Sequence, residues 1–259
     1  MTYTTPVILV TGASTGIGKA IAERFAAGGH VRMILLARRH AKLHVLAEQL
    51  AATVECHTLA CDLNDHPAVV AALAALPESF RAIDVLVNNA GLALGMQPAQ
   101  RATWQDWQTM IATNCSALAH LTHQLLPGMV ARNHGHIVNI GSIAGHHAYP
   151  GGNVYGATKA FVAQFSQNLR ADLLGTAVRV THIEPGMVAG SEFSLVRFAG
   201  DQARADSVYT GTTPLQPADI AEAVHWAISA PAHVNICSIE MMPVCQAPAG
   251  LAVHRQTPP

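Results

Sequence analysis

Short aliphatic and β-branched runs recur along the chain, each followed by a longer stretch whose apolar residues fall at helical spacing. Val7–Val10, Val31–Ala37, Val54–Leu59, Ile83–Val87, His136–Ile140, Val178–Ile183 and Ile236–Glu240 read as seven buried strands. The intervening stretches read as helices: one from the glycine-rich turn through Phe25, then Leu43–Ala51, Asp65–Leu76, Trp104–Asn114 and Ser116–Arg132. Pro67 is tolerated in a first helical turn, whereas Pro127-Gly128 predicts a bend. Further helices are predicted from Tyr155 to about Leu174, with Ala157, Ala160, Phe161, Phe165 and Leu169 as its apolar residues, over Glu192–Arg204, and over Pro217–Ser229. Strict alternation of strand and helix predicts an α/β fold: a Rossmann-like, doubly wound seven-stranded parallel sheet, helices on both faces, right-handed crossovers. No linker or repeat divides residues 1–259, so one dinucleotide-binding catalytic domain is expected. A mobile segment at about 190–210 and an irregular tail at about 243–259, rich in proline, complete it.

Composition narrows the classes of function. Half of the 259 residues are hydrophobic and only 12% are charged, which suits a large buried sheet. The net charge of −1 leaves no electrostatic footprint for nucleic acid or an anionic membrane. The longest apolar runs, such as Ala68–Leu76, are too short to span a bilayer, and the N-terminus lacks a basic, signal-like start. Five scattered cysteines without a C-x-x-C pair fit reduced thiols in a cytoplasmic protein. Fifteen histidines form no metal-binding pattern, so no metal is expected.

The first strand runs into Thr11-Gly12-Ala13-Ser14-Thr15-Gly16-Ile17-Gly18 and then a helix. Strand, glycine turn and helix together make a pyrophosphate site, because helix N-terminal amides point at the anion. A mononucleotide P-loop fails, since Ala13 replaces its first glycine and Ala20 its magnesium-binding hydroxyl. About twenty residues on, where NAD binders carry a carboxylate, stand Arg38 and Arg39. Guanidinium groups match a 2′-phosphate, so NADP is expected; two solvated arginines opening a surface helix are the bland alternative. Asn88-Asn89-Ala90-Gly91, at the end of the fourth strand, suits either a loop tie or a cofactor contact.

Ser142, Tyr155 and Lys159 form the candidate chemistry. Tyr155 and Lys159 are four apart and share a helical face. A phenol at its ordinary pKa of about 10 is a poor proton carrier at neutral pH. An ammonium ~4 Å away at an effective dielectric of ~20 stabilises the phenolate by about 4 kcal/mol, roughly three pKa units. Ser142, just past the fifth strand, is positioned to hold a substrate oxygen against that phenol. A chance surface pair is the alternative, so the glycine turn is what gives the pair meaning.

Thr11–Gly18, Asn88–Gly91, Asn114, Ser142, Tyr155, Lys159 and Pro185-Gly186 together resemble the short-chain dehydrogenases/reductases, over nearly the whole chain. Gly91–Ala99, Gly152–Phe161, Glu184–Phe198 and the closing EMMPV and AGLAVHRQ are similar to the bacterial NADP-dependent 3-hydroxy acid (serine, L-allo-threonine) dehydrogenases within that family. The resemblance implies that Tyr155 is the acid/base, that Ser142 orients the substrate oxygen, and that Lys159 tunes the tyrosine and holds ribose hydroxyls. It implies that Asn114 anchors a relay water. For the cofactor it implies Gly12, Ser14, Thr15, Gly16, Ile17 and Gly18 around the pyrophosphate, and Arg38 and Arg39 on the 2′-phosphate. Asp62 and Leu63 would lie at the adenine, Asn89 along the ribose, and Pro185, Gly186, Val188, Ser191 and Phe193 over the nicotinamide. Gly190 stands where the family usually has a threonine, so either the loop shifts register or Ser191 takes over that contact. The family is commonly tetrameric, and a homotetramer is expected.

The expected activity is hydride transfer between NADP and the hydroxyl-bearing carbon of short 3-hydroxy acids such as serine, L-allo-threonine or 3-hydroxypropionate. The alternatives are a general carbonyl reductase acting on uncarboxylated ketones, sugars or acyl thioesters, and an NADP-binding scaffold without activity. A substrate carboxylate calls for a cation, and Arg197 or Arg255 is the candidate, the latter on a tail that would close over the site.

Overall fold

The computed structural model describes residues 5–248. Its first half reads β1 (Val7–Thr11), α1 (Gly16–Gly28), β2 (Arg32–Ala37), α2 (His40–Leu50), β3 (Glu55–Ala60), α3 (His66–Ala74), α4 (Glu78–Arg81) and β4 (Ile83–Asn88). The second half continues with α5 (Trp104–Ile111), α6 (Leu118–Arg132), β5 (Gly135–Ile140), α7 (Asn153–Asp172), β6 (Val178–Pro185), α8 (Phe193–Arg197), α9 (Gln202–Ser207), α10 (Pro217–Ser229) and β7 (Ser238–Met241). The seven strands pair in parallel in the order β3-β2-β1-β4-β5-β6-β7. The order reverses between β1 and β4, which opens a crevice at their carboxyl ends, where ligands bind in doubly wound sheets.

The central strands are aliphatic on both faces because helices cover both. Ile8, Val10, Met33 and Leu35 pack under α1, α2 and α10, while Leu9, Ile34, Leu86 and Ile137 pack under α3, α6 and α7. Between these layers runs a buried polar chain. Asn88 Nδ2 donates to Thr122 Oγ1 and Asn139 Oδ1, and Asn139 Nδ2 donates to Ser166 Oγ, tying β4, β5, α6 and α7 together. Asn88 is thus a structural tie.

Several element boundaries differ from the sequence reading for local reasons. The carboxylate of Asp65 caps α3 by accepting from Ala68 N; the expected helix to Leu76 already ends at Ala74, and Pro77 opens the separate short α4. α6 continues through Pro127 without a break, and a π-helical turn over Ala112–Ala117 joins it to α5. β7 starts at Ser238 rather than Ile236, because the Asn235 side chain occupies both backbone groups of Val180. The segment expected as one helix over Glu192–Arg204 forms α8 and α9 with a turn between them. On α7 the buried face carries Tyr155, Thr158, Lys159, Val162 and Ser166, while Phe161 faces outward and stacks on Phe165.

Candidate active site

A cleft of about 740 Å³ lies over the crevice between β1 and β4. It is within the range of small-molecule and cofactor sites. Gly12, Ser14, Thr15, Gly16, Ile17, Arg38, Arg39, Asp62, Leu63 and Asn89 line one end. Ser142, Tyr155, Lys159, Pro185, Gly186, Val188, Phe193 and Arg197 line the other, and Ser191 lines the cleft against Gly16. Gly18 and Asn114 lie behind this wall rather than on it, and Arg255 and the Ala249–Gln256 ending lie outside the described residues.

The glycine turn is shaped by close approach. Gly12 has φ +65°, and a side chain there would meet Asn89 Nδ2 at 2.9 Å. A Cβ at Gly18 would sit 2.5 Å from the Gly12 carbonyl oxygen, so this glycine lets α1 pack against the turn. Asn89 fixes the far wall: its amide donates to Thr11 O at 2.8 Å and its backbone N–H to Thr11 Oγ1 at 2.9 Å. An open helix N-terminus, a turn that excludes Cβ atoms and a flanking arginine fit a phosphorylated dinucleotide.

The two arginines part company. Arg39 Nη2 donates to Ser14 Oγ at 3.2 Å and Thr15 Oγ1 at 3.1 Å, and pairs with Glu192 Oε2 at 2.7 Å. Arg38 lines the same end of the cleft without a hydrogen bond or ion pair to any described side chain. Lys42, one turn into α2, pairs with the other Glu192 oxygen at 2.8 Å. These two cations, by direct hydrogen bonding, hold the Glu192 carboxyl at about 2.

At the other end, Ser142 follows β5 as the cap of a short 3-10 turn, Ile143–Gly145, its Oγ accepting from Ala144 N at 3.1 Å. Tyr155 and Lys159 project from consecutive turns of α7, both buried. Lys159 Nζ donates to the Ile140 carbonyl at 2.9 Å and lies 5.9 Å from the Tyr155 ring centroid. Burial raises the Tyr155 phenol to about 12, although the Ser142 hydroxyl and Arg197 work against it. Burial likewise lowers Lys159 to about 8. The expected acidic phenol is therefore not a property of the protein without its ligands, because desolvation outweighs the neighbouring charge.

Asn114, in the π-helical turn, accepts from Leu92 N at 2.9 Å and donates to Leu92 O at 2.8 Å and to Thr158 Oγ1 at 3.0 Å. Its side chain pins the loop after β4 to the Tyr155 helix. Ser191 packs on the glycine turn, where a Cβ on Gly16 would meet Ser191 Cβ at 2.8 Å. Gly190, at φ +69°, turns the chain to make that contact.

Arg197 was a candidate for the substrate's acid group, but three pairings around the site escaped the sequence reading. Arg197 Nη2 donates to Tyr149 OH at 2.9 Å, and its guanidinium lies 5.6 Å from the centroids of both Tyr149 and Tyr155. Gln246 Oε1 accepts from Met187 N at 2.7 Å, and Tyr209 OH donates to Val188 O at 3.0 Å, both fixing the segment after β6. These pairings join residues far apart in sequence, and no spacing signals them. Among the described residues there is no group of three metal-ligating side chains, and no described helix is long and apolar enough to cross a membrane.

The family model described as short chain dehydrogenase matches residues 6–197. The chain is 57% identical to the NADP-dependent 3-hydroxy acid dehydrogenase of Salmonella typhi, over 96% of this chain and 99% of that protein. It is 49% identical to the serine 3-dehydrogenase of Rhizobium radiobacter, over 96% and 98%. Among solved structures it is similar to the closed form of serine dehydrogenase complexed with NADP+, at 55% identity and TM-score 0.93, covering 96% of this chain and all of that one. Glycine turn, buried Tyr155-Lys159 helix, sheet order and these likenesses agree, and the chain belongs to the short-chain dehydrogenase family.

Proposed function

We propose that this protein is an NADP-dependent dehydrogenase of short 3-hydroxy acids. NADP supplies the hydride acceptor or donor, and the protein's own groups bind, orient and move the proton. The observation that carries the reading is the convergence of Ser142, Tyr155 and Arg197 at one end of the cleft, opposite the cationic end at Arg39. The Tyr155 hydroxyl takes the substrate's hydroxyl proton during oxidation and returns one during reduction. Ser142 holds the substrate oxygen against it. Lys159 holds ribose hydroxyls and stabilises the phenolate as it forms. Asn114, through Leu92 and Thr158, keeps the loop after β4 and the Tyr155 helix in register.

At the cofactor end, Gly12 to Gly18 cradle the pyrophosphate and Arg38 and Arg39 take the 2′-phosphate. Asp62 and Leu63 meet the adenine and Asn89 the ribose. Pro185, Gly186, Val188, Ser191 and Phe193 cover the nicotinamide. Arg197, braced by Tyr149 and the Gly95 carbonyl, is the cation for the substrate's acid group. The sulfoacetaldehyde reductase 2 of Chromohalobacter salexigens, 50% identical over 96% of this chain, is named for an anionic aldehyde too. Acid-bearing substrates are therefore favoured over neutral ketones.

A homotetramer in the cytoplasm completes the proposal. Free Cys56, Cys61, Cys115, Cys237 and Cys245 suit a reducing compartment, and Trp104, Phe161 and Trp226 leave apolar surface for neighbouring copies. Native mass spectrometry tests the assembly. Following NADPH at 340 nm with L-serine, L-allo-threonine, 3-hydroxypropionate and matched uncarboxylated alcohols tests the activity. Turnover of the neutral alcohols alone would overturn it.

A further inference from the structure

Two short ion pairs bridge the mouth of the cleft at its cationic end. Glu192, at the start of α8, reaches across to α2, where it meets Arg39 Nη2 at 2.7 Å and Lys42 Nζ at 2.8 Å. The backbone beside it is already docked, with Ser191 seated on Gly16. Ser14, Thr15, Gly16, Ser191 and Glu192 line both the main cleft and an outer depression, and Lys42 lines only the latter. Glycine turn and 191–192 segment together are thus the wall between the phosphate end of the cleft and solvent.

We propose that Glu192 is a latch residue that sets how long the cofactor stays bound. The inference rests on the NADP reading above and adds a residue that touches neither hydride nor proton. Arg39 has a double task. Its Nη2 is held by Ser14, Thr15 and Glu192, and its remaining N–H groups form no hydrogen bond with described residues and are free for a 2′-phosphate. The Glu192 pair fixes the Arg39 guanidinium beside the glycine turn, so docking of the 191–192 segment pre-orients the remaining N–H groups for the phosphate. Lys42 balances the added negative charge on the outer side. With its carboxyl held far below neutrality, Glu192 stays charged across the working pH range, and the latch responds to ionic strength rather than to pH.

Release of NADPH, followed by stopped-flow fluorescence after displacement with excess NADP+, tests this in wild type, Glu192→Gln and Lys42→Gln. Glu192→Gln is expected to release NADPH about fivefold faster, in keeping with two partly exposed pairs, and Lys42→Gln by a smaller factor. Release from Glu192→Gln at the wild-type rate, or slower, overturns the latch; slower release would mean that Glu192 competes with the phosphate for Arg39. Lys42→Gln leaves the Arg39 contacts intact and decides the matter alone if the other variant does not fold. A wild-type protein that fails to bind NADPH instead refutes the cofactor reading, an outcome distinct from failure of the latch.

Discussion

Tyr155 and Lys159 stand one helical turn apart, yet the Lys159 ammonium is bound to the Ile140 carbonyl at 2.9 Å and lies 5.9 Å from the centre of the tyrosine ring. Burial governs both groups, pushing the phenol up to about 12 and the ammonium down to about 8. In the cofactor-free protein, the phenolate absorbance lost on Tyr155→Phe should therefore emerge only near pH 12; its appearance near pH 8 would contradict this ordering. In turnover, Tyr155→Phe should lower kcat by about 10²–10⁴-fold, the contribution typical of a positioned acid/base. NADPH binding should be retained, as fluorescence titration can check.

Arg39 and Arg38 should separate by cofactor. Only Arg39 is fixed to Ser14 and Thr15 beside the glycine turn. A charge-assisted hydrogen bond is worth about 1.5–3 kcal/mol, so Arg39→Gln should raise the Kd for NADPH by about 10- to 100-fold. The Kd for NADH should change little. Arg38→Gln should have the smaller effect of the two. An equal loss for NADPH and NADH would place Arg39's role in the fold of the turn instead.

Part of this was legible in the sequence because it is local. A strand ending in glycines, a helix beginning on them and a Tyr-x-x-x-Lys pair each lie within about twenty residues, and the elements around them followed from periodicity. Arg197 with Tyr149, 48 residues apart, and Lys42 with Glu192, 150 apart, meet only through tertiary packing. The burial that raises the phenol in the ligand-free protein is hidden for the same reason. Charge spacing can be read along a chain, whereas desolvation depends on what covers the ring.

Arg197 should govern the choice of substrate. It is held by Tyr149 OH and the Gly95 carbonyl at the Tyr155 end of the cleft. Arg197→Met should raise KM for a 3-hydroxy acid by about 10-fold or more, the effect of one charge-assisted contact, with a smaller change in kcat. Activity on an uncarboxylated ketone should be unaffected or improved. A uniform fall on both substrate types would sink the carboxylate assignment.

Gly141 is tied to the placement of Ser142 by packing. A Cβ at Gly141 would fall on His182 Nε2, in the ring's own position. His182 cannot swing aside freely, since its Nδ1 pairs with the buried Glu184 at 3.2 Å. Gly141→Ala should therefore destabilise the protein by about 1–3 kcal/mol, as overpacking does, and lower kcat by displacing Ser142. Denaturant unfolding and steady-state kinetics check the two effects separately.

Acid lability should trace in part to His136. Thr181 Oγ1 donates to the Ile236 carbonyl at 2.7 Å, so its one proton is used and His136 Nε2 must donate to it, across 2.8 Å. That leaves Nδ1 buried without a hydrogen-bond partner among the described residues. Burial, with Arg179 nearby, lowers the imidazole to about 3 from an ordinary 6.5. Between those values the unfolded chain binds a proton that the folded protein refuses. Stability is thus intact above pH 6.5 and is lost as pH falls toward 3, by up to about 1.4 kcal/mol per pH unit from this group. Replacing His136 by Phe should flatten the unfolding free energy against pH in that window, though it also lowers stability at neutral pH by removing the Thr181 contact. A slope unchanged by the substitution would show that His136 takes up its proton in the folded state.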